Sequence, residues 1–256
     1  MTWEGFFNTR DLGGLPTRSD HTTRNGAFFR AADLRFVTDV GWSQARESGV
    51  RTIVDLRNAD EIRPSAADSA TALAGSAQFS VCTAGATPPP GIDRIEVPLD
   101  DVDDIEFWQY VNREHLNGSP LYYRLFLERK ADRCAAVIKA LARSGPGGVL
   151  FHCGAGRDRT GLIALLLLAL ADVEPEAIAA DYDQSTESLK ALFAAIGMED
   201  QAPMIQSILT SRGTTTKAAI LRTLDGFDAE QYLLAAGVSG TDLESIRNRL
   251  LESPPS

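Results

Sequence analysis

The stretch GVLFHCGAGRDRTGLIALLLLALA, residues 148–171, decides how the rest of the chain is read. GVLFHC at 148–153 is short and apolar until its last two residues, the form of a buried strand. It runs into a glycine-bearing loop, and Thr160 to Ala171 then reads as a helix with apolar residues almost all round, so it belongs in a core. Strand, glycine loop and buried helix together place unsatisfied backbone amides and the positive end of a helix around an anion. Gly154 and Gly156 let the backbone turn its amides inward, because glycine tolerates positive φ.

Within this loop Cys153 and Arg159 are separated by five residues. A thiol attacks phosphorus only as thiolate, and the amides and helix dipole favour negative charge at this position. The amides of the Gly154, Ala155, Gly156 and Arg157 stretch can hold the non-bridging oxygens of a phosphoryl group, while the Arg159 guanidinium takes two of them in a fork. A nucleotide-binding loop is a poor alternative. GAGRDRTG lacks the third glycine of GxGxxG and the GK[ST] ending of a Walker loop.

The bulk properties agree with a local anion site. The chain of 256 residues is 44% hydrophobic, enough for one substantial core. Its net charge of −10 argues against a nucleic-acid or anionic-membrane partner, and the longest apolar run, Leu162 to Ala171, is too short to span a bilayer. Cys82, Cys134 and Cys153 form no CxxC pair, which suits a reducing, cytoplasmic setting, and three histidines leave little for a metal site. The N-terminus lacks a basic stretch followed by an apolar one, so it does not read as a secretory signal, although export by another route stays open.

Around the loop, AFFRAADL at 27–34, RTIVDLR at 51–57 and RIEVPL at 94–99 read as further strands, RTIVDLR as a central one. Residues 64–92 are small, Pro-rich and aperiodic, a flexible surface insertion in a single domain spanning 1–256. Thr38 caps one helix, Ser119 and Pro120 open a long one closed by Gly145, and Pro175 starts another that ends near DYDQS at 181–185. Two more helical stretches fill 187–217, with Leu189, Leu192, Phe193 and Ile196 on one face, and a capping box from Thr241 to Glu244 opens the last helix. The expected fold is α/β, a central mostly parallel sheet flanked by helices.

HCGAGRDRTG matches the HCxxGxxRT signature of the protein tyrosine phosphatase superfamily. More narrowly, it resembles the bacterial tyrosine and phosphoinositide phosphatases of the secreted mycobacterial type, whose loop reads HCxAGKDRTG. NTRDLGG, FFRAADL, VDLRNADE and YLLAAGVSGTDLESIRNRLL resemble other blocks of that family, so the likeness spans nearly the whole chain except 64–92. Arg157 stands where the family usually has Lys, replacing a point charge by a planar fork.

The resemblance implies a metal-independent and cofactor-free hydrolase of phosphate monoesters, phosphotyrosine proteins or phosphoinositides, acting through a phosphocysteine. Cys153 is then the nucleophile and Arg159 the phosphate fork, with Asp158 assisting. Thr160 either bonds the sulfur or caps the helix, and Arg57 is the choice for a second anion contact. Asp101 aligns best with the family's general acid and Asp100 is the runner-up. The 187–217 segment corresponds to a two-helix lid. Three other readings are a phosphate-binding pseudophosphatase, a sulfurtransferase and a nicotinamide oxidoreductase, the last being the weakest.

Overall fold

The computed structural model of the protein describes residues 2–63 and 87–251. Most of the expected insertion, with Cys82, therefore lies outside the described residues. Five strands form one sheet: β1 (Arg10–Asp11), β2 (Phe28–Ala31), β3 (Val50–Asp55), β4 (Asp93–Glu96) and β5 (Gly148–His152). Their order is β1-β2-β5-β3-β4, parallel throughout except for the short β1 at one edge. The apolar strand of the deciding stretch, β5, is central and buried along its whole length. RTIVDLR is its neighbour, as its β-branched composition requires.

Both faces of the sheet are covered, and strand alternation sorts the side chains between them. Phe28, Val54, Val149 and Phe151 face the larger helical layer, while Phe29, Ile53 and Leu150 face Trp3, Trp42 and Ala45, the last two on helix α1 (Asp39–Glu47). Thr38 caps α1 as its sequence implies, accepting from the Gly41 amide at 3.1 Å. His152 pairs with Ala31 on one side and Asp55 on the other, so β2, β5 and β3 end level. Whatever follows each strand is delivered to one place, the usual site of chemistry in open parallel sheets.

After β3 comes α2 (Ala59–Ile62), and after β4 an acidic turn in which Asp104 caps α3 (Ile105–Arg113). The long helix expected from Ser119 to Gly145 is instead three pieces: a 3-10 turn at Pro120–Tyr122, α4 (Tyr123–Arg129) and α5 (Ala131–Ala142). The break is at Lys130, whose φ of −125° and ψ of 37° are not helical. Its ammonium reaches Asp101 at 2.9 Å and Asp104 at 2.5 Å, a tertiary demand that overrides the local helical pattern.

Helix α6 (Asp158–Leu170) is buried nearly all round, as its uniform apolar character demands. Helix α7 (Pro175–Ala195) corrects a second expectation, because it continues through DYDQS without interruption. The reason is Arg10, which bonds the Asp181 carboxylate at 2.6 Å and the Ser185 hydroxyl at 3.2 Å, so neither side chain is left to compete with the helix backbone. The end of α7 packs against the core. Leu189, Leu192 and Phe193 are buried against Ala32 and Ala155, whereas α8 (Ala202–Ser211) stands largely free of the core, with Leu209 its sole buried residue. Helices α9 (Thr216–Leu224), α10 (Ala229–Ala235) and α11 (Gly240–Leu251) follow to the end of the described residues. The cap of α11 is Ser239 rather than Thr241, since the Ser239 hydroxyl accepts from the Asp242 amide at 3.1 Å. Among the described residues no helix is long and apolar enough to cross a membrane.

Candidate active site

The loop from Cys153 to Asp158 leaves the level ends of the sheet with its carbonyls tied down. The Gly154 carbonyl accepts from the Asp33 amide at 2.8 Å, that of Ala155 from the Asn8 side chain at 3.0 Å and that of Gly156 from Arg30 at 2.8 Å. In a trans peptide the following N–H points the opposite way. The amides of residues 155–157 therefore face away from these anchors, towards the cavity that Cys153, Ala155 and Arg157 line. Of the two loop glycines only Gly156 uses positive φ, at 68°, and a Cβ there would sit 2.3 Å from the Ala31 carbonyl oxygen. Glycine is required at 156 for space as well as conformation.

Behind the loop lies a buried pair of cations on one carboxylate. Arg10 and Arg30 both bond Asp181, Arg10 at 2.6 Å, and Arg10 also bonds Asn8 at 2.7 Å. One positive charge is left over beneath the loop. Burial first, and then the neighbouring Arg30, push Arg10 down to about 10. Sequence reading missed this cradle, although a charged Arg30 in the middle of FFRAADL was a signal, because a buried charge needs partners.

Arg159 emerges from the first turn of α6 and is gripped end-on by Glu61 of α2, Nη1 to Oε2 at 2.5 Å and Nη2 to Oε1 at 2.7 Å. Burial alone would raise the Glu61 carboxyl, but the hydrogen bond and charge of Arg159 outweigh it and hold it below the ordinary range. This grip spends one N–H on each terminal nitrogen. The edge formed by Nε and the second Nη2 hydrogen remains for a ligand.

The two candidate acids part company here. Asp101 is bonded to Lys130 at 2.9 Å and Arg133 at 3.2 Å, and the Lys130 bond chiefly holds its carboxyl low. It does not line the cavity. Asp100 does, with Oδ2 3.3 Å from Arg159 Nη1 and a buried Oδ1 that has no hydrogen-bond partner. Burial pushes the Asp100 carboxyl up to about 6 against the pull of Arg159, helped by the charges of Glu61 and Asp158.

Asp158, an acid inside an anion loop, is offset by its neighbours. Its Oδ1 accepts from Tyr182 at 3.1 Å, its Oδ2 from Arg157 at 3.4 Å, and its carbonyl from Tyr123 at 2.6 Å. Arg57, the choice for a second anion contact, does not line the cavity: it is buried and shared between Asp55 and Asp33, both at 2.7 Å. It braces the sheet ends beside His152, whose Nε2 is 3.5 Å from Asp55. The Thr160 hydroxyl is buried without a hydrogen-bond partner, so the bond to sulfur named as one alternative is not made here.

Cys153, Asp100, Asp158 and Arg159 share one cavity of about 520 Å³, whose other walls include Trp108, Tyr122, His115 and, from α8, Met204, Ile205 and Ile208. A family model described as the tyrosine phosphatase family matches residues 1–252. The chain belongs to the tyrosine phosphatase family. Among its relatives is a triple specificity protein phosphatase, PtpB, of Mycobacterium tuberculosis, 29% identical over 260 residues, covering 91% of this chain and 85% of that protein. A tyrosine-protein phosphatase of Nostoc commune is 32% identical over 164 residues, 64% of this chain and 50% of that one. The protein is thus a cysteine-dependent phosphatase, and its substrates are phosphorylated molecules that release phosphate. What the loop motif alone left open in this phosphatase was the supporting cast: Asn8, Arg10, Arg30 and Asp181 beneath the loop, and Trp108, Tyr122 and Gln201 around the cavity.

Proposed function

We propose that this phosphatase hydrolyses phosphate monoesters in two steps through a phosphocysteine at Cys153, with Asp100 as the general acid. The observation that carries the reading is the meeting of Cys153, the free edge of Arg159 and the elevated carboxyl of Asp100 on one cavity. In the first step the Cys153 thiolate attacks phosphorus in line with the leaving oxygen. The loop amides and Arg159 hold the three equatorial oxygens, where charge spreads in the transition state. Asp100, protonated below about 6, gives its proton to the leaving alkoxide or phenoxide. In the second step Asp100, now ionised, takes a proton from water as it attacks the phosphocysteine, returning thiolate and inorganic phosphate. Charge is handled by Arg159 and the amides, the part a divalent cation plays in other phosphoryl-transfer sites.

Aromatic walls at Trp108 and Tyr122 suit a phosphotyrosine ring, and the triple specificity in the name of the mycobacterial relative supports a wider range that includes phosphoinositides. Asp158 assists by holding Arg157 and Tyr182 around the loop. The test is hydrolysis of para-nitrophenyl phosphate between pH 5 and 7 in EDTA. Wild type turns over, and Cys153→Ser loses roughly three orders of magnitude or more. A folded, reduced wild type without activity would turn the reading to a phosphate-binding pseudophosphatase.

A further inference from the structure

Helix α8 is attached to the rest of the molecule in an unusual way. It is bounded by Gly197 and Gly213, both at positive φ, 69° and 62°, and a Cβ on either would meet nothing within 4 Å. These glycines serve the chain's turning and not close packing, and the helix between them has a single buried residue. Met204, on the face that lines the cavity, is 53% exposed, and Leu209 alone on this helix is buried. Polar ties hold it at both ends. Arg212, at one end, donates to the Glu114 carbonyl at 2.6 Å, and Gln201, at the other, accepts from Arg157 Nη2 at 3.1 Å.

The second tie joins the helix to the phosphate loop itself. Arg157 is buried, and its guanidinium runs over Gly118, where a Cβ would come within 2.9 Å of Nη2. Gly118, Arg157 and Ile205 are at once walls of the catalytic cavity and walls of a second one, about 290 Å³, which reaches Tyr182, Phe193 and Thr216. The Arg157 to Gln201 bond is therefore a partition between two chambers as well as a tie. A planar fork can bond Asp158 and Gln201 simultaneously, which a single ammonium does with less directional control.

We propose that Gln201 is a positioning residue that latches α8 to the phosphate loop through Arg157, and that release of this bond opens the mouth above Cys153 and joins the two chambers for larger substrates. The inference rests on Cys153 being the reactive thiol of this cavity. Cys153 is 2% exposed, so a neutral alkylating agent reaches it only through the mouth that α8 borders.

The experiment measures the second-order rate of Cys153 alkylation by iodoacetamide, and kcat/KM for para-nitrophenyl phosphate and for a phosphotyrosine peptide. The variants are Gln201→Ala and Gln201→Glu, each also placed in an Arg157→Gln background. Removing a charge-assisted bond speeds alkylation about 3- to 10-fold in Gln201→Ala, and a full ion pair slows it by a similar factor in Gln201→Glu. The peptide's KM follows the same opposite directions more strongly than that of the small substrate. In the Arg157→Gln background the two substitutions become equivalent, because their effect passes through Arg157. Equal alkylation in all single variants, or changes in one direction only, overturns the latch. Wild type that is alkylated at Cys153 yet hydrolyses nothing would instead defeat the phosphatase mechanism and leave the latch standing.

Discussion

Asp100 and Asp101 are neighbours of the same residue type, yet they answer to different partners. Lys130 and Arg133 neutralise Asp101, whereas Asp100 sits in the cavity with one oxygen unpartnered and its carboxyl pushed up to about 6, chiefly by burial. Catalysis that needs the protonated form declines as pH rises through that value, so kcat/KM on a phosphotyrosine peptide should fall above about 6. Asp100→Asn should lose that limb and roughly two orders of magnitude of rate, while Asp101→Asn keeps the limb. The same elevation is a stability statement. Between an ordinary aspartate value near 4 and the folded value of about 6, the folded protein holds a proton the unfolded chain has released, so stability falls as pH rises through that window. Asp100→Asn should then gain on the order of 1–3 kcal/mol at pH 7.5 and almost nothing at pH 4, read from urea midpoints. Equal midpoints at both pH values would show the carboxyl to be unstrained.

At the scale of elements, the loop is shaped by what its carbonyls bond to more than by its own sequence. Asn8, Asp33 and Arg30 come from the segments around β1 and β2, and they turn the loop amides outward together. Gly156 is where this arrangement has no slack, because the Ala31 carbonyl is already in the space a side chain would need. Gly156→Ala should cost at least about 2 kcal/mol of stability, from left-handed strain plus the clash, and should abolish turnover even where the protein still folds. Calorimetry and the para-nitrophenyl phosphate assay check the two halves separately. An active, equally stable alanine variant would mean the loop can relax away from β2.

For the whole molecule, the level ends of β2, β5 and β3 gather at one edge groups that are far apart in the chain, from Asp33 to Glu61 to Arg159. The binding site is thus a property of the folded state alone, and a ligand that occupies it stabilises that state. Inorganic phosphate at a hundred times its dissociation constant should add about 2.7 kcal/mol. The melting temperature should rise accordingly in wild type and in Cys153→Ser, since the amides and Arg159 bind the oxyanion without the sulfur. Arg159→Met should show no such rise.

The deciding stretch was legible because its signals are local: an apolar strand, a glycine loop with Cys153 and Arg159 at fixed spacing, and an apolar helix each follow from residues close in sequence. Parallel α/β architecture, the central place of RTIVDLR and the caps at Thr38 and Ser119 follow in the same way. The breaks and continuities of the helices did not, because Lys130 is drawn out of helix by Asp101 and Asp104 from another segment, and DYDQS stays helical through Arg10, 171 residues away from Asp181. The same holds for the acid. A run of aspartates states only that charge is present, and which carboxyl is desolvated depends on where Arg159, Lys130 and Arg133 stand in space. Local chemistry therefore determined the loop that carries Cys153 and Arg159 and the fold class, while burial and long-range pairing, which exist only once the chain has packed, decided which carboxyl shares its cavity and what holds the loop open.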